Sequence, residues 1–150
     1  MLFRSDEKEA ARFSAVVVNE NGSAFRPQVV GQSAAQIAAF TGIKRDHAIR
    51  LIVAPSVFTG KANAWAGEKM SPMLSLFTVE NAEQGIQLSA DLLHYMGTGH
   101  TAIIHSNDES LTQRFAQAMP ASRILVNSPG SHGVVGYTTG LLPKIGRAHF

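Results

Sequence analysis

Four short apolar runs constrain this chain more than anything else in it. Residues 49–54, 74–79, 101–105 and 123–127 are rich in Ile, Val and Leu and too short for buried helices. Stretches of helical periodicity alternate with them, at residues 81–96 and 109–119, and two more precede the first run, at 6–17 and 33–40. Apolar strands alternating with amphipathic helices build β-α-β units. The expectation is an α/β fold with a mainly parallel sheet and helices on both faces. The chain has 150 residues, enough for one domain, and no linker, internal repeat or low-complexity tract divides it.

Local chemistry places the boundaries. Acids open the first helix, where Ala10, Phe13 and Val17 share a face, although Val16, Val17 and Val18 equally suit the start of a strand. Asn19-Glu-Asn-Gly-Ser23 is turn chemistry. Ala34, Ile37, Ala38 and Thr41 form the stripe of a second helix that Gly42 stops. Pro55 ends the first strand, and residues 57–67, which carry Trp65, read as a long loop of the functional or mobile kind. Asn81 caps a third helix with Ala82, Ile86, Ser89, Leu93 and Met96 on one face. Pro120 closes the fourth, whose Leu111, Phe115 and Ala118 turn inward.

Charge and composition exclude several classes. The chain has 13 Lys and Arg against 11 Asp and Glu, but its two ends look foreign to the domain. Residues 144–149 are similar to a common short-read sequencing adapter translated in one frame, and residues 2–5 resemble the opposite adapter read inward. With residues 1–5 and 144–150 set apart as non-native ends, the domain is 6–143. Arg4, Lys144 and Arg147 then drop out, leaving ten basic residues against the same eleven acidic ones. No basic stripe interleaved with aromatics remains, so nucleic acid is not the expected partner. No apolar run approaches the ~20 residues of a membrane span, no secretory signal opens the chain, and the cytoplasm is the default compartment. The count of Cys is 0, which rules out disulfides, thiolate metal sites and a cysteine nucleophile within this sequence.

Three places could carry chemistry. Glu68 sits in Glu68-Lys-Met-Ser-Pro-Met-Leu74, on a connection between two strands, where Pro72 pushes Ser71 toward extended backbone. A carboxylate there can accept hydrogen bonds from two ribose hydroxyls or serve as an acid or base. On composition alone it is a solvated surface residue paired with Lys69 or Lys61. The second place is residues 127–136, Asn-Ser-Pro-Gly-Ser-His-Gly-Val-Val-Gly, a loop leaving the carboxyl end of a strand. Ligands of open parallel sheets bind there, and its amides suit an anion as readily as a demanding turn. It is neither a Walker motif nor a dinucleotide fingerprint. Third, His94, His100 and His105 lack the spacing of metal ligands, and His100 is expected to hydrogen-bond neighbouring backbone. No metal is assigned, and no serine lies in a nucleophile elbow.

The order of these motifs resembles a known family. Val30-Gly-Gln-Ser-Ala34, Glu68-Lys-Met-Ser-Pro-Met-Leu74, Gly97-Thr-Gly-His-Thr-Ala-Ile-Ile-His105 and Arg123-Ile-Leu-Val-Asn-Ser-Pro129 resemble, in register from about Asp6 to Pro143, the CoA-acylating aldehyde dehydrogenases. The resemblance implies part of an aldehyde dehydrogenase-like catalytic domain. The implied reaction takes an aldehyde, coenzyme A and NAD or NADP to acyl-CoA and the reduced coenzyme, and the complete enzyme is implied to be a homo-oligomer. It places Glu68 where the family holds the nicotinamide ribose hydroxyls, Met70 where ordinary aldehyde dehydrogenases carry a Phe beside the nicotinamide, and Ser131 and His132 in the aldehyde channel. No catalytic residue is assigned, because the family's nucleophilic cysteine precedes this region. The chain is therefore expected to be a piece of the enzyme, inactive alone, with exposed strand edges and apolar surface that favour aggregation. A freestanding nucleotide- or CoA-binding module and a non-catalytic interaction protein are the alternatives.

Overall fold

A computed structural model describes residues 3–4, 7–61, 63–137 and 139–143. They fall into two compact units, Met1–Thr78 and Val79–Phe150. The first contains β1 (Phe3–Arg4), α1 (Glu7–Val17), a 3-10 turn (Pro27–Val29), α2 (Ala34–Phe40), β2 (Ile52–Pro55), a second 3-10 turn (Ala64–Ala66) and β3 (Met73–Leu76). Its strands lie in the order β1-β2-β3, and both ladders are parallel, with Phe3 opposite Ile52 and Ile52 opposite Met73. Of the ends set apart in the sequence, Phe3 and Arg4 thus pair with β2. Residues 1, 2, 5 and 144–150 lie outside the described residues.

Burial explains why the first unit holds. On α1, Phe13 and Val17 stand four residues apart on one face and join Val29, Ile37, Ile52 and Met73 in one core. Trp65 packs beside it, 5.0 Å from the Phe25 ring in an edge-on contact, and its indole N–H donates to Ser14 Oγ at 2.9 Å. Val18 makes one antiparallel bridge to Phe25 rather than beginning a strand. The turn between them is closed by Asn19 Oδ1, which accepts from the amides of Ser23 and Ala24. Ser33 and Gln36 form a capping box at the start of α2.

The second unit contains α3 (Ala82–Met96), β4 (Thr101–Ile104), α4 (Glu109–Ala118), β5 (Arg123–Val126) and α5 (Gly130–Val134). Asn81 and Asp108 cap α3 and α4 through the amides of Gln84 and Leu111. The β4–β5 ladder is parallel, with Ala102 opposite Ile124 and Ile103 opposite Leu125. Period-two alternation sends Ala102, Ile104 and Ile124 into a cluster with Ala90 and Leu93 of α3 and Phe115 of α4. The opposite face, Ile103 and Leu125, receives α5. This two-stranded sheet therefore carries helices on both faces, as expected.

Two expectations change. Strand ends are set by register rather than by apolar content: the ladder begins where Ile52 N–H reaches Pro72 O, so residues 49–51 stay outside it. On the other side it stops at Leu76, short of residues 77–79. The loop expected at 127–136 contains α5, which fits only because it approaches the sheet through glycines. A Cβ on Gly133 would stand 2.3 Å from Leu125 Cδ1, and one on Gly130 would stand 2.6 Å from Ile103 Cδ1. Apolar surface also remains open, with Leu74, Leu76 and Met70 all exposed, as the aggregation argument anticipates.

Candidate functional site

Glu68 is exposed, on the connection that enters β3 from its amino end. Nearly every peptide around it is tied. Asn63 Oδ1 accepts from Ala66 N–H at 2.9 Å and starts the 3-10 turn, and Gly67 N–H donates to Ala64 O at 3.2 Å. The Lys69 ammonium donates to the carbonyls of Trp65 at 2.9 Å and Gly67 at 2.8 Å. Ser75 Oγ donates to the same Trp65 carbonyl. Beyond Glu68, Ser71 Oγ donates to Lys69 O at 3.0 Å, and Gly31 N–H donates to Met70 O at 2.8 Å. Met70 has φ +49°, a left-handed conformation that costs a side-chain-bearing residue and persists where neighbours over-determine it. Ser71 sits in a bend whose carbonyl accepts from Met73 N–H at 2.7 Å.

This arrangement joins two motifs that are far apart in sequence. The Gly31–Met70 bond sets Val30 to Ala34 against Glu68 to Leu74, with α2 starting from the capped Ser33. Partial burial pushes the Lys69 ammonium below its ordinary value of 10.5, because the low-polarity surroundings disfavour its charge. Its donation to carbonyls was not legible in the sequence, which suggested an ion pair with Glu68 instead. A cleft of about 630 Å³ lies at the other, carboxyl end of β2 and β3, between α1 and Trp65, with Ser14, Ser56 and Leu76 in its walls.

In the second unit the remaining two motifs also meet. Asn127, at φ +52°, follows β5 and bonds twice to the Ser106 backbone: its Oδ1 accepts from Ser106 N–H at 3.0 Å, and its Nδ2 donates to Ser106 O at 2.9 Å. Ser131 and His132 are exposed on α5, and the His132 ring meets Tyr137 edge-on at 5.3 Å. The guanidinium of Arg123 holds the end of that helix, donating to Gly133 O at 3.0 Å and to Val134 O and Leu142 O at 2.7 Å each. Nothing in the sequence signalled this clamp. The main chain of His100 bonds to Gly97 and Ser122, but the ring that was expected to hydrogen-bond neighbouring backbone has its Nε2 buried with no partner among the described residues. His94 Nδ1 is 2.9 Å from Ala90 O. Among the described residues no three His, Asp or Glu side chains gather as metal ligands would.

Comparison with known proteins bears on the whole arrangement. No family model matches the chain. Aldehyde-alcohol dehydrogenase 2 of Entamoeba histolytica is 33% identical over 130 residues, covering 87% of this chain and 15% of that protein. The acylating sulfoacetaldehyde dehydrogenase of Cupriavidus necator is 31% identical over 99 residues, covering 65% of this chain and 20% of that one. Among solved structures, an acetylating aldehyde dehydrogenase from Geobacillus thermoglucosidasius superposes with a TM-score of 0.82 at 29% identity, over 95% of this chain and 31% of its own. This chain is related, in sequence and in fold, to the acylating aldehyde dehydrogenases. It spans 15% of the first curated relative and under a third of the solved one. Among the described residues no helix is long and apolar enough to cross a membrane.

Proposed function

We propose that this chain forms part of an oxidoreductase that converts an aldehyde, coenzyme A and NAD(P)⁺ into acyl-CoA, NAD(P)H and a proton, with residues 6–143 contributing to its catalytic domain. When bound, NAD(P)⁺ supplies the hydride acceptor and coenzyme A the thiol that receives the acyl group. The observation that carries the reading is Glu68, an exposed carboxylate whose neighbouring backbone is fixed by hydrogen bonds from Lys69, Ser71 and Gly31. A carboxylate only accepts hydrogen bonds and ribose hydroxyls donate them, so Glu68 fits the ribose of the coenzyme. Ser131 and His132, on the clamped α5, line the path of the aldehyde. The attacking thiolate comes from outside this chain, which holds no cysteine, and the chain alone does not turn over aldehydes. The complete enzyme is a cytoplasmic homo-oligomer.

The deciding experiment substitutes Glu68→Gln in the complete enzyme. Loss of a charge-assisted pair of hydrogen bonds, each worth about 1.5–3 kcal/mol, raises the KM for NAD(P)⁺ by an order of magnitude or more. The KM for aldehyde stays as it was. An unchanged coenzyme KM removes Glu68 from this role. For the second site, His132→Ala shifts the preference between short and longer aldehydes, and an unchanged preference removes His132.

A further inference from the structure

The backbone immediately before Glu68 holds an unusual expense of charge. Gly67 precedes it, with φ −91° and ψ −177°, and a glycine at that point leaves the next residue free to swing. The carbonyl of Gly67 belongs to the peptide that enters Glu68, and it accepts from Lys69 Nζ at 2.8 Å. The same ammonium spans back to Trp65 O at 2.9 Å, closing a second ring around residues 65–69. A lysine on an open surface keeps its ammonium in water, because a hydrated charge loses solvation when it turns onto neutral carbonyls. This one is half-buried and turned onto two of them.

We propose that Lys69 is a positioning residue for coenzyme binding: its ammonium locks the Gly67–Glu68 peptide and so presents the Glu68 carboxylate to the ribose in one orientation. The proposal rests on the reading of Glu68 given above. The mechanism is preorganisation. Without the lock, the glycine hinge opens and part of the binding energy goes into re-ordering the connection. The bonds from Ser71 and Gly31 hold the far side of Glu68 and leave that hinge untouched.

The test uses Lys69→Met, Lys69→Arg and Glu68→Gln, with two readouts. In the complete enzyme, Lys69→Met raises the KM for NAD(P)⁺ on the order of tenfold, as the loss of an ordering contact does, with the aldehyde KM unchanged and kcat little affected. Lys69→Arg, which keeps charge and donors, restores a substantial part of the coenzyme affinity. In the 150-residue chain, Lys69→Met speeds amide hydrogen exchange at Gly67, while the β2–β3 ladder amides keep their protection. A purely structural lysine would lower the unfolding midpoint and leave the coenzyme KM of the folded molecules alone, and that result overturns the proposal. So does unaltered exchange at Gly67. Should Glu68→Gln raise the coenzyme KM while Lys69→Met does not, only the lysine's role is wrong. Should Glu68→Gln leave it unchanged, the coenzyme reading fails and the positioning role with it.

Discussion

Gly133→Ala tests the packing that places α5 on the sheet. The added Cβ would lie 2.3 Å from Leu125 Cδ1, 2.7 Å from Cδ2 and 3.0 Å from Cγ, whereas ordinary contacts begin near 3.4 Å. Leu125 is only 2% exposed, so its side chain has no room to retreat. Separation by about 1 Å must come from moving α5, and overpacking of this kind costs about 1–3 kcal/mol. Alanine recovers up to about 1 kcal/mol of helix propensity, less at a helix end, which leaves a net loss of about 1–2 kcal/mol. Leu125→Ala removes the obstruction. Alone it loses about 2–5 kcal/mol to the cavity, but combined with Gly133→Ala the new methyl enters vacated space. The double variant is therefore more stable than the sum of the single effects, by about 1 kcal/mol or more. A urea titration followed at the amide resonances of β4 and β5 reads this unit by itself. Additivity within about 0.5 kcal/mol would refute the claim that the glycine is there to admit the leucine.

Three further outcomes follow from the same contacts. Ser14→Ala leaves the Trp65 indole N–H without its acceptor, which lowers the stability of the first unit by about 1–3 kcal/mol; the chain has 1 Trp, so its fluorescence during urea unfolding reports that loss directly. Asn127→Ala removes both bonds to Ser106 and leaves a non-glycine residue at φ +52°, destabilising the second unit by about 1–3 kcal/mol, while Asn127→Gly loses less because the backbone strain disappears. Lys69 gives a pH dependence. Its folded value lies below 10.5, so between the two values the unfolded chain still holds the proton that the folded chain has lost. Stability therefore rises with pH through that window and the cost of burying the charge is full below it. Urea midpoints of the wild type and Lys69→Met, compared from neutral to alkaline pH, should diverge in that direction, and parallel curves would contradict the burial.

The residues proposed for the site could be singled out from residue order, but their wiring could not. A carboxylate beside Ser71 and Pro72 marked Glu68 as a candidate, although composition alone made it a solvated surface residue and only the family resemblance suggested the ribose. Where the Lys69 ammonium goes could not be read, because it depends on two carbonyls whose directions are fixed by the 3-10 turn at Ala64–Ala66. Arg123 looked like an ordinary strand residue, and only the fold returns the end of α5 to within reach of it. The short helix at 130–134 was hidden because glycine usually argues against helix. In this place close approach to Ile103 and Leu125 outweighs propensity.

Helix starts, by contrast, were fixed locally. Ser33, Asn81 and Asp108 each cap the amide three residues ahead, an interaction that needs nothing beyond its own turn. The helical character of α1 to α4, the strands β2 to β5 and their parallel arrangement likewise follow from periodicity and short-range chemistry, so the amino-acid order determined them by itself, whereas β1 and α5 escaped it. Strand ends, the donation of the Lys69 ammonium to the Trp65 and Gly67 carbonyls and the seating of α5 were decided only in three dimensions. Strand ends and the seating of α5 depend on partners distant along the chain, and the carbonyls that hold the lysine, only two and four residues away, are aimed by a 3-10 turn that no side-chain pattern encodes.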